Sequence, residues 1–261
     1  MKVDVFDLNG KPSGKIELPE VFEEQIREDL IKRAFLASLS RSIQPHAADT
    51  MAGKRTSAHY HGGRPGRTGV SRYAMVGRDL ARLPRIHGKT ALHMTWRVRF
   101  VPQAVKGREA HPPKLERVWE EKINKKERRK ALRSAIAATA VKDLVLKRGH
   151  KIDRIEHLPI IVEDDIQKIS KTKELVGFLK KIGLENEIER IKARKIKRGK
   201  YKRKVGPLFV VKEEKEISKA VGNLPGADVC KPNNLSVEKL APGTSAGRLV
   251  IFTKSAVESL K

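Results

Sequence analysis

The sequence predicts an α/β fold with three αβα layers, a mostly parallel sheet of four to five strands, and a long extended internal loop. The C-terminal half alternates short apolar runs, typical of buried strands, with amphipathic helical runs, which favours a parallel sheet with right-handed crossovers. Periodicity stops between residues 42 and 113, which indicates an insertion. We therefore expect one α/β domain over residues 1–261, with this loop inserted in it and a basic surface loop at 190–204.

The N-terminal elements are a hairpin and a helix. The hairpin is predicted by VDVFDL, the Gly/Pro turn NGKPSG and KIELP. One amphipathic helix from Pro19 is predicted by PEVFEEQIREDLIKRAFLASLSRSI, because proline is favoured in a first helical turn. Its apolar residues at helical spacing are Val21, Phe22, Ile26, Leu30, Ile31, Phe35 and Leu39.

The elements after the insertion alternate between helix and strand. A helix capped by Asn124 and ended by Gly149 is predicted by NKKERRKALRSAIAATAVKDLVLKRGH. A buried strand, LPIIVED, and a helix closed by Gly183, TKELVGFLKKIG, follow it. Beyond a basic interruption the strands are PLFVVKE, GADVCKP and RLVIFT, and the helices are ISKAVGNL, SVEKLAP and KSAVESLK.

The charge balance predicts a polyanionic partner. The 261 residues include 57 Lys+Arg against 31 Asp+Glu, a net charge of +26, so binding to nucleic acid would be strongly salt-dependent. A membrane is disfavoured as the partner because no run of about 18 apolar residues occurs and MKVDVFDLNG lacks signal-peptide features, so we expect an intracellular protein. Cys230, the single cysteine, excludes disulfides within the chain and a multi-cysteine zinc site.

The insertion at 42–113 has the composition of a phosphate-binding segment. It contains eight glycines, six prolines, ten Arg and three Lys against three acids, and arginine suits bidentate phosphate contacts. Composition leaves a disordered basic linker open as the alternative. We favour a segment ordered on RNA because it carries apolar anchors, and LHMTWRVRF alternates like a half-buried strand. The anchors are Tyr73, Met75, Val76, Leu80, Leu83, Ile86, Trp96 and Phe100.

The second basic element, RIKARKIKRGKYKRK at 190–204, carries ten Lys/Arg and no acid, with Tyr201 placed to stack or to cover a backbone. A cluster of this kind also serves as a nuclear import signal, and composition does not separate the two functions.

Few residues indicate catalysis or metal binding. His59 and His61 invite a metal interpretation, but no Cys or carboxylate lies nearby at ligand spacing, so we interpret them as RNA contacts and predict no metal ligands. Neither phosphate-loop nor dinucleotide-binding motifs occur. Asp164 and Asp165 follow a strand, where α/β enzymes keep carboxylates, but adjacent acids more often cap the next helix, here DIQKIS. We predict no catalytic residue and no enzyme activity.

Several strings carry a family resemblance: QPHAADTMAGKRTSAHY, VGRDLARLPRI, VPQAVKGREAHPPK, RSAIAATA and APGTSAGRLVIFTKSAVESL. Together they resemble the universal L-four family of large-subunit ribosomal proteins, in its archaeal and eukaryotic branch, over the whole chain. The resemblance implies a structural constituent of the large ribosomal subunit, with an α/β body on the outer surface and a loop running through rRNA to the wall of the polypeptide exit tunnel. It implies no cofactor, and structural Mg²⁺ shared with rRNA is compatible with it.

The expected partners are large-subunit rRNA, neighbouring ribosomal proteins and the nascent polypeptide; the alternative is a free RNA-binding regulator of translation or transcription. The expected rRNA-binding residues of the insertion are Lys54, Arg55, His59, His61, Arg64, Arg67, Arg72, Arg82, Arg85, Lys89, Arg97, Arg99, Lys106 and Arg108. Those of the second element are Arg194, Lys195, Lys197, Arg198, Lys200, Tyr201, Lys202, Arg203 and Lys204. The tunnel-lining residues that the resemblance implies are Met75, Val76, Gly77, Arg78, Leu83 and Pro84.

Overall fold

The computed structural model describes residues 2–152, 155, 157–193, 195–202 and 204–260. The chain forms two compact units. The first, here called the α/β unit, comprises Met1–Ile43 and Glu120–Lys261, and the second, the loop unit, comprises Gln44–Trp119.

The described part of the α/β unit contains both helices and strands, which alternate over residues 208–258. The strands are β1 (Lys2–Phe6), β2 (Pro12–Glu17), β3 (Ile160–Val162), β4 (Lys195–Lys197), β5 (Lys200–Lys202), β6 (Leu208–Val210), β7 (Asp228–Cys230) and β8 (Val250–Thr253). The helices are α1 (Glu28–Ser42), α2 (Lys125–Ala140), α3 (Lys142–Lys147), α4 (Thr172–Lys181), α5 (Glu185–Lys192), α6 (Ile217–Gly222), α7 (Val237–Leu240) and α8 (Lys254–Glu258). None of the helices described is long and apolar enough to cross a membrane.

The main sheet has six strands in the order β2-β1-β3-β8-β6-β7. β1 and β2 are antiparallel, and every other neighbouring pair in this sheet is parallel. The predicted α/β class is therefore confirmed. The sheet exceeds the expected four to five strands because the N-terminal hairpin continues it, with Val5 opposite Ile161 of β3.

Alternate residues of the central strands enter two separate cores, one on each face of the sheet. Ile160 and Val162 of β3 pack in the core that includes Phe178 of α4, whereas Ile161 packs in the core that includes Ile31 of α1 and Ala135 of α2. All three β3 side chains are fully buried. Because successive strand residues point to opposite faces, this division confirms the predicted three αβα layers.

Two predicted helices are interrupted. The helix expected from Pro19 begins at Glu28, after a 3₁₀ turn at Glu20–Glu23, because Arg27 is extended and its backbone N–H donates to the Ser134 hydroxyl at 2.6 Å. The helix expected from Asn124 divides into α2 and α3 at Val141, whose φ and ψ of −89° and 111° are not helical. The prediction of one continuous helix was therefore wrong in both places, although most of the residues concerned are helical.

The glycines predicted to end helices do so. Gly149 and Gly183 follow α3 and α4 with φ values of +95° and +93°, a conformation that glycine adopts without a Cβ penalty. The backbone N–H of Leu184 then donates to the Leu179 carbonyl at 2.9 Å, which satisfies a carbonyl in the last turn of α4.

The loop unit is built mainly from turns. Ala58, Ala74, Met75 and Ile86 are its buried hydrophobic residues among those described. Isolated bridges pair Arg85 with both His59 and Val98. Its folding thus depends on a small interior and on short stretches of backbone pairing.

The strand predicted in LHMTWRVRF is wrong. Leu92–Met94 forms a 3₁₀ turn, and Trp96 and Phe100 have positive φ values of 65° and 72°. The backbone N–H of Trp96 donates to the Ile86 carbonyl at 2.8 Å, and that of Ile86 donates to the Arg97 carbonyl at 3.0 Å, so the segment pairs with the backbone around Arg85 through a single-residue bridge at Val98. The apolar alternation therefore supplies turn contacts and does not form a continuous strand.

Candidate nucleic-acid interface

Arginine side chains stabilise the turns of the loop unit from within. Arg85 donates to the carbonyls of Trp96 at 2.9 Å and Ala81 at 3.1 Å. Arg78 donates to the carbonyls of Ala74 at 3.0 Å and Arg72 at 3.1 Å. A planar guanidinium with five donors can join two carbonyls from different turns, which one ammonium group does less well.

Aromatic rings hold Arg78 and Arg72 in place. The Arg78 guanidinium lies 5.0 Å from the Trp96 ring centroid, and that of Arg72 lies 4.8 Å from the Tyr73 ring while also donating to the Tyr73 hydroxyl at 2.8 Å. Some of the predicted RNA-binding residues thus donate hydrogen bonds to other groups of the loop unit. Arg55 donates to Asp49, and Arg99 donates to the Val105 carbonyl. With Arg72 and Arg85, four predicted residues have such partners.

A second set of predicted cations points to solvent. Arg64, Arg67, Arg82, Lys89 and Lys106 are exposed, and no hydrogen bond or ion pair joins their side chains to another group in the described chain. Arg97 is exposed too and contacts the Met94 sulfur at 4.0 Å, while Lys54 and Arg108 are half-buried. Exposed guanidinium and ammonium groups with free donors suit phosphate oxygens.

Glycine shapes the backbone between these cations. Gly63 has a φ of +89°, and a Cβ on it would lie 2.9 Å from Val70 Cγ1, closer than such carbons approach. The string HGGRPGRTG therefore folds as consecutive tight turns that carry Arg64 and Arg67 outward.

The residues that the resemblance assigns to a tunnel differ in exposure. Gly77 and Arg78 are exposed, Val76, Leu83 and Pro84 are half-buried, and Met75 is 1% exposed. Met75 belongs to the interior of the loop unit, so Gly77 and Arg78 form the accessible part of this group.

The second basic element is a β-hairpin, which the sequence reasoning missed. β4 and β5 pair as a two-stranded sheet, and Arg198 and Gly199 form its turn with φ values of 49° and 71°. Two central turn residues with positive φ suit the twist of a tight hairpin. The signal was present as Arg-Gly between KIK and KYK, with Ile196 opposite Tyr201.

The residues predicted to bind rRNA in this hairpin differ in exposure, and some of them lie outside the described part of the chain. Arg198, Lys200 and Tyr201 are exposed and Lys204 is half-buried. Arg194 and Arg203 lie outside the described residues, as do the side chains of Lys195, Lys197 and Lys202.

A cationic cavity in the α/β unit was not predicted. It has a volume of about 730 Å³, and the residues that line it include Lys147, Arg148, His150, Arg190 and Lys204. Of these, Lys204 alone is in the predicted rRNA-binding set. The available signal was Lys-Arg-Gly-His at the end of α3, where basic side chains favour a helix C-terminus.

Glu187 organises one wall of this cavity. Its carboxylate is 1% exposed and accepts hydrogen bonds from His150 Nδ1 and Arg190, each at 2.7 Å, and from the Lys151 backbone N–H at 3.0 Å. Burial alone raises the pKa of Glu187, but these hydrogen bonds outweigh it and hold the pKa below its usual value. Burial also lowers the pKa of His150 despite the Glu187 contact, so His150 is neutral and Glu187 ionised at neutral pH.

Burial and two neighbouring cations act on Arg148 in the same wall. Burial, followed by repulsion from Arg248 and Arg190, lowers the pKa of Arg148 to about 10. Arg148 remains charged at neutral pH and donates to the carbonyls of Ser245 and Pro242. The wall therefore keeps a fixed positive charge whose donors are partly used by the backbone.

Asp164 and Asp165 have structural partners. Asp164 accepts hydrogen bonds from the backbone N–H of Ser255 at 3.1 Å and from its hydroxyl at 2.5 Å, at the start of α8. Asp165 pairs with Lys168 at 2.7 Å within the 3₁₀ turn Asp164–Lys168. Both acids lie in the first turn of the predicted helix, as expected, but neither side chain caps it; Asp164 instead accepts from the first turn of α8.

Comparison with known proteins decides the family. The model of the ribosomal protein L4/L1 family matches residues 16–261. The chain belongs to this family. Archaeal relatives named large ribosomal subunit protein uL4 align over nearly their full length. One from Methanosphaera stadtmanae is 45% identical over 99% of this chain and 96% of its own length. Others from Nanoarchaeum equitans and Methanococcus aeolicus are 46% and 43% identical, over 100% of this chain and 98% of theirs.

Membership of the L4/L1 family confirms the resemblance found in the sequence. The matched range contains the whole loop unit and the β4–β5 hairpin. Both basic elements are thus parts of a chain whose full length is shared with the relatives, and neither is an appended tail.

Proposed function

We propose that this chain is a structural constituent of the large ribosomal subunit, located in the cytoplasm, that binds large-subunit rRNA. One observation carries the proposal: the chain aligns from end to end with relatives named as large-subunit proteins. The charge of +26 and the exposed cations of the loop unit supply the physical means of binding.

The two groups of arginines divide the task of binding. Arg78 and Arg85 stabilise the turns through backbone carbonyls, so the loop unit presents its backbone in a defined shape. Arg64, Arg67 and Arg82 extend from those turns with donors free for phosphates. Binding of this kind reads the shape of folded RNA and the spacing of its phosphates, and not its base sequence.

The loop unit also contributes to the wall of the polypeptide exit tunnel in this proposal. Gly77 and Arg78 are the accessible members of the tunnel-lining group, and the Trp96 ring positions the Arg78 guanidinium. The nascent polypeptide and neighbouring ribosomal proteins are then partners, and no catalytic residue is required.

The role of the exposed cations is tested by neutralising them. The triple variant Arg64→Gln, Arg67→Gln, Arg82→Gln removes three exposed cations, and Lys168→Gln, Lys171→Gln, Lys180→Gln removes three that are paired with acids in the α/β unit. Each lost phosphate contact lowers the slope of log affinity against log salt by roughly 0.7–0.9.

We expect the loop variant to bind a large-subunit rRNA fragment more weakly, with a slope reduced by about two to three, and the lysine variant to match the wild type. The measurement is a filter-binding titration at several salt concentrations. Equal losses in the two variants would show that net charge alone drives binding and that the loop unit has no special part in it.

A further inference from the structure

Three histidines of the loop unit converge on one point. The Nε2 atom of His87 lies 2.7 Å from that of His61 and 3.0 Å from that of His59. The ring centroids are 4.1 to 4.6 Å apart, and the possible ligand atoms all lie within 4.8 Å of one another. The Arg85–His59 backbone bridge brings His87 to residues 26 and 28 positions earlier in the chain.

Surrounding groups fix the orientation of these rings. His59 Nδ1 lies 3.0 Å from the Ser57 carbonyl, which can only accept, so Nδ1 carries the proton and Nε2 keeps its lone pair. Tyr73 stacks on His87 with centroids 4.5 Å apart and planes inclined by 18°. A ligating histidine commonly has its second ring nitrogen held by a backbone carbonyl in this way.

Hydrogen bonding alone does not account for the convergence. His87 Nε2 contacts two other Nε2 atoms, but in a neutral ring it is either a donor or an acceptor. When it accepts from His61, it faces the lone pair of His59; when it donates, one proton serves two acceptors. A single cation at the centre satisfies all three lone pairs at once.

We propose that His59, His61 and His87 bind a divalent transition metal, best matched by Zn²⁺, through their three Nε2 atoms. Neutral imidazole suits this metal, and Zn–N bonds of about 2.0–2.1 Å place the nitrogens of a tetrahedral site roughly 3.3 Å apart. The separations of 2.7 and 3.0 Å therefore widen by about 0.6 and 0.3 Å on binding. The proposal does not depend on the ribosomal role. It departs from the sequence prediction, which assigned His59 and His61 to RNA contact and expected no metal ligand.

The environment gives the site two further properties. His59 is exposed, so the fourth coordination position is open to water. Because the three ligands are neutral and the loop unit is rich in arginine, repulsion weakens binding and added salt strengthens it, opposite to RNA binding.

The test uses untagged full-length protein stripped of metal and titrated with Zn²⁺ against a chromophoric chelator. We expect one Zn²⁺ per chain, with at least about tenfold weaker binding in His87→Gln, since even indirect losses at metal sites cost that much. The control is His93→Gln, an exposed histidine of the same unit outside the cluster, which should bind as the wild type does. Substituting Co²⁺ should give a visible ligand-field absorption that His87→Gln loses.

A second measurement needs no variant and guards against misfolding of His87→Gln. Imidazole ¹⁵N resonances of the wild type should shift on Zn²⁺ addition for His59, His61 and His87 and stay unchanged for His93. Absence of saturable binding, binding that His87→Gln leaves intact, or shifts confined to other histidines would each overturn the proposal.

Discussion

The arginines of the loop unit differ in what they contact, and these contacts determine what each substitution changes. Arg85 joins the carbonyls of Ala81 and Trp96, whereas the exposed Arg82 has no hydrogen-bond partner in the described chain. Composition identified both as cations. It did not separate them, because the separation depends on which carbonyls the turns bring within reach.

Arg85→Lys should loosen the turn that ends at Trp96, since one ammonium group cannot replace the planar fork. We expect the free energy of opening to fall by about 1 kcal/mol for the lost hydrogen bond. The reporter is hydrogen exchange of the Trp96 amide, which donates to Ile86. The matched control, Arg82→Lys, should leave that exchange unchanged; equal acceleration in both would contradict the structural role of Arg85.

His150 and Glu187 should make the α/β unit sensitive to acid. The folded-state pKa of each is lowered, so the unfolded chain binds more protons as pH falls, and the stability present above the unfolded-state pKa is lost. For His150 this loss begins near pH 6.5 and reaches at most about 1.4 kcal/mol at pH 5.5.

His150→Asn should reduce the loss of stability between pH 7.5 and pH 5.5, because asparagine keeps a donor near Nδ1 but does not titrate. Urea unfolding followed by circular dichroism at the two pH values measures it. An undiminished pH dependence in the variant would assign the effect to other groups.

At the scale of secondary structure, elements whose ends depend on local chemistry were predictable. Gly149 and Gly183 end helices where the sequence places them, and the apolar runs of the parallel strands are buried as expected. The start of α1 was not predictable, because Arg27 is held extended by Ser134, 107 residues away. The basic hairpin was not predicted, because its two-residue turn, Arg198-Gly199, lies within a run of basic residues that we interpreted by charge alone.

The candidate interface was predictable in composition and less so in geometry. The exposed cations of the insertion were identified, but the cavity beside Glu187 combines residues from α3, α5 and the segment after β5. The sequence did not group His87 with His59 and His61, because a backbone bridge between distant residues, His59 and Arg85, brings the three side chains together. Such groupings depend on tertiary folding, which spacing along one segment does not reveal.

The turn around Gly77 and Arg78 should contact the nascent chain if it lines the tunnel. We expect a photoreactive amino acid replacing Arg78 to crosslink to nascent polypeptide in stalled ribosomes. The same amino acid at Val118, which is 83% exposed in the same unit, should not. Gel analysis of labelled nascent chains measures this, and crosslinks from both positions or neither would contradict the assignment.

For the whole molecule, the two units differ in how much interior each has. The α/β unit buries two cores on a sheet, whereas the described loop unit buries Ala58, Ala74, Met75 and Ile86. Stability against local opening follows buried contacts, so the loop unit should open at lower free energy than the α/β unit.

Hydrogen exchange of the isolated chain should therefore show strongly protected amides in β3, β6 and β8 and much weaker but measurable protection across residues 46–112. Addition of large-subunit rRNA should slow exchange in that range. Strong protection there without RNA would show that the loop unit needs no partner to become ordered.

Membership of the large subunit is the central claim, and sedimentation of cellular extracts tests it most directly. A protein whose loop unit makes many phosphate contacts within folded rRNA should travel with the large subunit at both low and high salt. Salt weakens each contact, but many contacts made together keep the protein bound. A free RNA-binding regulator would instead stay near the top of the gradient. Detection of the chain solely in that free fraction, at both salt concentrations, would contradict the proposed function.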